Sequence, residues 1–430
     1  MVTQTVHDAL GALRDLATPT TMRALAGQGL APAVRPKVNA HIHLPPNFSA
    51  FESVEQAVGL AAAQGVGVLG VSNYYDFDVY QDFAALARAH GILPLFGLEI
   101  IVLIDELVRA GVLINDPGNP GKMYLCGKGI TQFAPMTPTA ERIVGIIRHN
   151  DSERMEAMAA RLAGIFAERG LDTGLGAEAI IDRVVRRHGC PRARVTLQER
   201  HLCQAFQEIL FERVPPAERP ARLSAILGAP SKAAPDDFVR VQNEIRSHLM
   251  KAGKPAFVQE TFIDFEQARE LILALGGIPC YPTLADGSRP ICPFENPLDK
   301  LIAELKERNL NCAELIPIRN TPQVLARYAE GLRAAGIVVT AGTEHNTLDL
   351  LAIEPACLKG APVPEAIKEI FWEGARVVAA HQFLTLNGEC GYVDGAGALN
   401  PAYASQEERI AALARLGAAV IRRTQDSATE

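Results

Sequence analysis

The sequence contains no run of about 18 uncharged apolar residues, so no segment reads as a membrane-spanning helix. Its opening stretch, MVTQTVHDALGALRDLATP, carries Asp8 and Asp15 and lacks a continuous apolar core, unlike a secretory signal. None of the eight cysteines (Cys126, Cys190, Cys203, Cys280, Cys292, Cys312, Cys357, Cys390) falls in a C-x-x-C motif. That excludes a zinc ribbon or a thioredoxin-type redox site and predicts reduced, mostly buried thiols in a cytoplasmic protein. Positive charge is not in excess: 42 Lys and Arg against 49 Asp and Glu leave a net −7. Neither nucleic acid nor a membrane is therefore an expected partner, although a local basic pocket can still hold one phosphate. No G-x-G-x-x-G follows the first predicted strand, which argues against a dinucleotide fold. What remains is an ordinary globular chain of 430 residues, 48% hydrophobic, long enough for two or three domains or for one barrel with an insertion. Nothing in it speaks to oligomeric state.

After an amphipathic lead-in (1–36), strands and helices alternate. KVNAHIH (37–43), VGVLGVS (66–72), ILPLFGLEI (92–100) and KMYLCGKG (122–129) are predicted strands, with helices at 52–64 and 83–91. Their short uninterrupted apolar runs fit strands covered on both faces. From 137 to 254 helical periods take over, with 214–235 expected as an extended loop. Alternation then resumes through GIPCYP (277–282), NCAELIPI (311–318) and IVVTAG (337–342), and a last helix–strand pair is predicted in PEAIKEIFWEG and RVVAAHQF. Such units imply parallel strands with right-handed crossovers, in a number better suited to a closed barrel than to an open sheet. The predicted organisation is a barrel in two parts, 37–136 and 255–400, interrupted by a helical insertion at 137–254 and followed by a helix and tail at 401–430.

In parallel barrels the chemistry sits at the C-terminal ends of the strands. His41 and His43 form H-x-H at the end of the first strand. With a period of two, both rings point the same way and can share one divalent ion. Glu99 ends the third strand and suits a metal ligand, a base or a salt bridge at the mouth. Glu344 and His345 follow IVVTAG in a tight turn where only one of them need face the barrel axis. Lys128 and Arg319, near strand ends, are candidates for an anionic group, and Glu314 for a supporting role. His149, His188, His201 and His381 read as surface or packing residues.

This ordered set (H-x-H, G-x-E at the third strand, a long helical insertion, a closing Gly-[Ser/Thr]-acid turn) resembles the PHP (polymerase and histidinol phosphatase) family. RHNDSERMEAMAARLAGIFAERG, RVTLQERHLCQAFQEIL and KPAFVQETFIDFEQARELILALGGIPCYP are similar to stretches of that family, and the resemblance covers about residues 37–390. It implies an α/β fold, a distorted parallel (β/α)7 barrel, with a multinuclear metal site and phosphoester hydrolysis. The chain departs from the pattern where the family usually has histidines. Thr-Asp-His becomes Ser72-Asn73-Tyr74, a further histidine aligns with Tyr124, and Ala-His-Pro becomes Cys280-Tyr281-Pro282. The closing turn is Gly342-Thr343-Glu344-His345-Asn346, and HIHLPPNFS lacks the expected acid. Phenols are poor ligands at neutral pH but good hydrogen-bond donors.

The resemblance therefore implies a reduced site in which His41, His43, Glu99 and Glu344 hold one divalent ion, zinc or manganese, with His345 in reserve. Tyr74, Tyr124 and Tyr281 are expected to converge on it as catalytic donors. Three functions follow. The first is a metal-dependent phosphoesterase-type hydrolase acting on a small, phosphorylated metabolite. The second is a hydrolase or lyase of altered chemistry on a sugar-like substrate. The third is a retired enzyme serving as a metabolite-binding or scaffold protein.

Overall fold

Uninterrupted apolar segments such as VGVLGV bury both faces and can only be interior strands. In the computed structural model, which describes residues 8–428, seven of them form one sheet in chain order. They are β1 (Lys37–Ile42), β2 (Val66–Val71), β3 (Leu93–Leu103), β4 (Lys122–Lys128), β5 (Ile278–Thr283), β6 (Cys312–Leu315) and β7 (Val338–Ala341). The sheet curls until its ends meet. Thr343 and Glu344 donate backbone N–H groups to the His41 carbonyl at 3.0 and 2.9 Å, and His43 N–H donates to the Glu344 carbonyl at 2.8 Å. Gly342 permits this seam, since a Cβ there would lie 2.2 Å from the Cβ of His41. The result is a nearly closed seven-stranded α/β barrel with a helical insertion.

The distortion is located at β4. All other neighbouring strands are parallel, but β4 runs antiparallel to both β3 and β5. Residues 104–121 between β3 and β4 hold one short helix, Asp105–Arg109. They do not carry the chain back across the sheet, so β4 returns as a hairpin partner. Its N-terminal end therefore lies at the mouth, with Lys122 and Tyr124, while Lys128 lies deep in the barrel. Lys128 thus ends its strand as expected, but at the end that lies away from the mouth, where it meets Glu314 instead of a bound anion.

Two further expectations are corrected. RVVAAHQF is not a strand: Glu365–Leu386 is one continuous helix. Gly374 does not end that helix but allows it to press on β7, where a Cβ would stand 2.0 Å from the Val339 carbonyl oxygen. The predicted loop at 214–235 contains the helix Arg219–Leu227, with Pro220 in its first turn, where a missing N–H costs little.

The insertion packs around its own cluster of buried apolar residues, including Met158, Leu162, Phe166, Phe206 and Leu210. Its main helices are Pro138–Glu168, Ala177–His188, Glu199–Arg213 and Phe238–Ile245, the last continuing into a π-helical turn, Arg246–Met250. It leans on the barrel mouth through Gln198, whose side-chain oxygen accepts from Phe48 N–H at 2.6 Å. A second tie is Arg154 of the insertion, which lies 3.7 Å from Glu260 of the barrel's second part, itself paired with Lys122 of β4 at 2.9 Å. Among the described residues no helix is long and apolar enough to cross a membrane.

Candidate metal centre

Strand alternation turns His41 of β1, His43 one residue beyond it and Glu99 of β3 into the barrel, where all three are buried. Their ligand atoms converge. His43 Nε2 lies 3.1 Å from Glu99 Oε2, His41 Nε2 lies 3.8 Å from the same oxygen, and the two Nε2 atoms are 3.4 Å apart. Despite these short separations, Glu99 Oε2 has no well-aligned hydrogen bond, and His43 Nδ1 has no partner. Burial would raise the Glu99 carboxyl, but the two imidazoles beside it, His43 at 3.1 Å, outweigh burial and hold the group well below the ordinary carboxylate range.

A buried network behind His41 fixes its ring. His41 Nδ1 faces Glu314 Oε2 at 2.6 Å, and Glu314 Oε1 receives Lys128 Nζ at 2.6 Å. Lys128 also donates to the Ala40 carbonyl at 3.1 Å and to Ser72 Oγ at 3.3 Å. Burial alone would raise Glu314, yet Lys128 and His41 lower it, so it is an anion that accepts from His41 Nδ1–H and fixes the ring. Nε2 then points at Glu99 and His43. Two imidazole nitrogens 3.4 Å apart and a carboxylate oxygen without a hydrogen-bond partner fit a divalent ion. Glu314 stands behind His41 as carboxylates commonly stand behind metal-binding histidines. His41, Cys126 and Glu314 form a second group within ligand range. There the Lys128 ammonium already supplies the cation, which leaves His41, His43 and Glu99 as the set open to a metal.

The remaining predicted residues divide. Glu344 is buried beside this set, but its carboxylate pairs with Arg319 and accepts from Asn346 Nδ2 at 2.7 Å. His345 is not brought to the three ligands. Its Nδ1 contacts Thr343 Oγ1 at 2.7 Å, its Nε2 contacts the Leu351 carbonyl at 3.2 Å, and its ring stacks on Phe51. Both residues adopt positive φ, 60° and 52°, a strained conformation for side chains of this size. Tyr74 stacks on His43 with ring centroids 5.1 Å apart and planes within 5°. Burial, reinforced by Glu99, keeps its phenol protonated. Tyr124 lines the same cavity. Tyr281 does not. Cys280 and Pro282 share the inward face with Cys312 and Glu314, so the alternate residue points outward, where its hydroxyl donates to Glu295 Oε1 at 2.9 Å. His381 is structural, joining the Gly276 carbonyl and Tyr392 N–H.

The centre opens into a cavity of about 460 Å3 between the barrel mouth and the insertion. Its wall includes residues that sequence reasoning did not single out: Lys122 of β4, and Asp151, Arg154, Glu199, Arg200, Arg246 and Lys251 from the insertion. Glu199 receives Arg154 and Arg246, both at 2.8 Å, and Lys251 at 3.6 Å. Buried as it is, it is driven far below the usual carboxylate range by these cations. Glu260 takes Lys122 and Arg154, and Asp116 lies 3.4 Å from Lys122. Among the described residues Arg200 pairs with no carboxylate and only donates to Asn243 Oδ1 at 2.7 Å. Five cations here face four carboxylates, Glu199, Glu260, Asp116 and Asp151, and Arg200 is the one left without a carboxylate among the described residues, which makes it the place on this wall for an anion. The only sequence signal for it was the unusual density of charge in the insertion.

No family model matches the chain, and no curated protein matches it. Solved structures do. An amidohydrolase from Chromobacterium violaceum, with bound sulfate and no metal, aligns at a TM-score of 0.52 with 16% identity, over 78% of this chain and 96% of its own. A candidate metal-dependent phosphoesterase from Bifidobacterium adolescentis aligns at 0.51 with 14% identity, over 79% and 96%. At these identities the likeness is one of fold, a fold on which metal-dependent hydrolases are built.

Proposed function

We propose that this chain is a PHP-type metal-dependent hydrolase of small phosphorylated metabolites, with one zinc or manganese ion held by His41, His43 and Glu99. The observation that carries the reading is the convergence of three buried ligand atoms, among them Glu99 Oε2 without a hydrogen-bond partner, beside a cavity lined by Arg200, which pairs with no carboxylate among the described residues. A divalent ion so held polarises a substrate oxygen and lowers the pKa of an adjacent water. Glu314 orients His41 toward that position. Tyr74, kept protonated, offers a hydroxyl donor over the His43 ring. Arg200, Arg246 and Lys251 offer charge to a phosphoryl group, as oxyanions commonly require. The sulfate in the Chromobacterium structure is consistent with an oxyanion site on this fold.

One observation favours a second reading, a hydrolase or lyase acting on a sugar-like body: two phenols, Tyr74 and Tyr124, line the cavity beside Asn115. The test is to strip the protein of metal, reload it with zinc or manganese, and measure release of inorganic phosphate from a panel of small phosphoesters. Phosphate release that depends on the ion is expected. No release with either ion would leave the sugar-directed or retired readings standing instead.

A further inference from the structure

The helix Pro138–Glu168 sends one carboxylate, Asp151, into the wall of the cavity that Glu99 and Tyr74 also line. Every other insertion carboxylate on this wall is tied to cations, whereas among the described residues Asp151 has no hydrogen bond or ion pair. The groups facing it are Lys122 from β4, Arg154 from its own helix, Glu199 from the next barrel-facing helix, and Glu260. Lys122 and Arg154 are already engaged by Glu260 and Glu199, so neither neutralises Asp151 by contact. Asp151 and Glu99 both act on the buried phenol of Tyr75, which places the two carboxylates within electrostatic reach of one ring. Burial raises Asp151 to about 6 against the pull of Arg154 and Lys122, so a proton is available there in mildly acidic to neutral solution.

We infer that Asp151 is the general acid of the reaction, giving its carboxyl proton to the leaving-group oxygen as the phosphorus–oxygen bond breaks. This rests on the hydrolase reading above. Water supplies the oxygen that enters the phosphoryl group, and the proton that this water releases restores the acid through solvent in the cavity. The products are an alcohol and inorganic phosphate, and Asp151 ends as it began. The arrangement assigns the metal ligands to the barrel, and the proton donor, with the phosphoryl-binding cations, to the insertion.

The experiment compares wild type with Asp151→Asn on glycerol 2-phosphate, whose alkoxide needs a proton to leave, and on 4-nitrophenyl phosphate, whose phenolate does not. A general acid contributes about 10²–10⁴-fold, so the variant should lose at least about 100-fold in kcat on the alkyl ester and only a few-fold on the aryl ester, with KM nearly unchanged. Infrared difference spectra of the metal-free protein between pH 5 and pH 8 give a readout independent of turnover. Asp76 and Glu295 also titrate in this window and contribute equally to both proteins, so the readout is the protonated carboxyl intensity present in wild type, absent from the variant and titrating near pH 6. Equal losses on both esters, or no difference in that band between wild type and variant, overturn the acid alone. A wild type that cleaves neither ester overturns the hydrolase reading and the acid with it.

Discussion

Glu314 Oε2 stands 2.6 Å from His41 Nδ1, and this contact decides which nitrogen of the ring faces the centre of the barrel. Glu314→Gln should weaken zinc binding by about 10–100-fold, the usual effect of removing a carboxylate behind a metal-binding histidine. The same change strips Lys128 of its counter-charge and should destabilise the fold by about 3–5 kcal/mol. Glu314→Gln with Lys128→Met should recover much of that stability without recovering affinity. Zinc titration calorimetry and urea unfolding separate the two effects.

The tyrosines should split in the same way as their directions. Tyr281→Phe removes a buried donor to Glu295 and should cost about 1–3 kcal/mol in urea unfolding, with kcat and KM unchanged. Tyr74→Phe should leave the unfolding midpoint almost in place and lower kcat.

Glu344→Gln and His345→Ala should each leave metal content unchanged, since neither side chain joins His41, His43 and Glu99. Glu344→Gln frees Arg319 at the cavity wall and should change KM instead. Loss of metal from either variant, measured by elemental analysis, would put the turn after β7 back among the ligands.

Asp151 also predicts a pH dependence of stability. Its folded pKa, about 6, lies above the ordinary value of 3.8, so the native state binds the extra proton. The stability this contributes is fully present below about pH 4 and is lost as pH rises through 6. Asp151→Asn should therefore match wild type near pH 4 and exceed it above pH 6. A constant offset across that range, measured by thermal unfolding, would mean that Asp151 is ionised throughout.

Most of the barrel was legible because interior strands are short, apolar and uninterrupted, and because period two put His41 and His43 on one face. What was not legible depends on partners distant in sequence. Gly374 looks like a stop until β7 is seen pressed against it, so RVVAAHQF was read as a strand. The direction of β4 depends on its connection, and it reverses which end of KMYLCGK meets the mouth. Tyr281 is a strand-end tyrosine in sequence, but Cys280 and Pro282 occupy the inward face beside Glu314. Asp151 and Arg200 gain meaning only when the insertion folds over the barrel.

The central claim is that one metal ion sits on His41, His43 and Glu99. Elemental analysis of protein purified without added metal, wild type beside His43→Ala, tests it most directly. About one zinc or manganese ion per chain in the wild type, and none retained by the variant, is the predicted result. A wild type that carries no metal and takes up none on titration, with a variant equal to it in stability and ligand binding, would contradict the account.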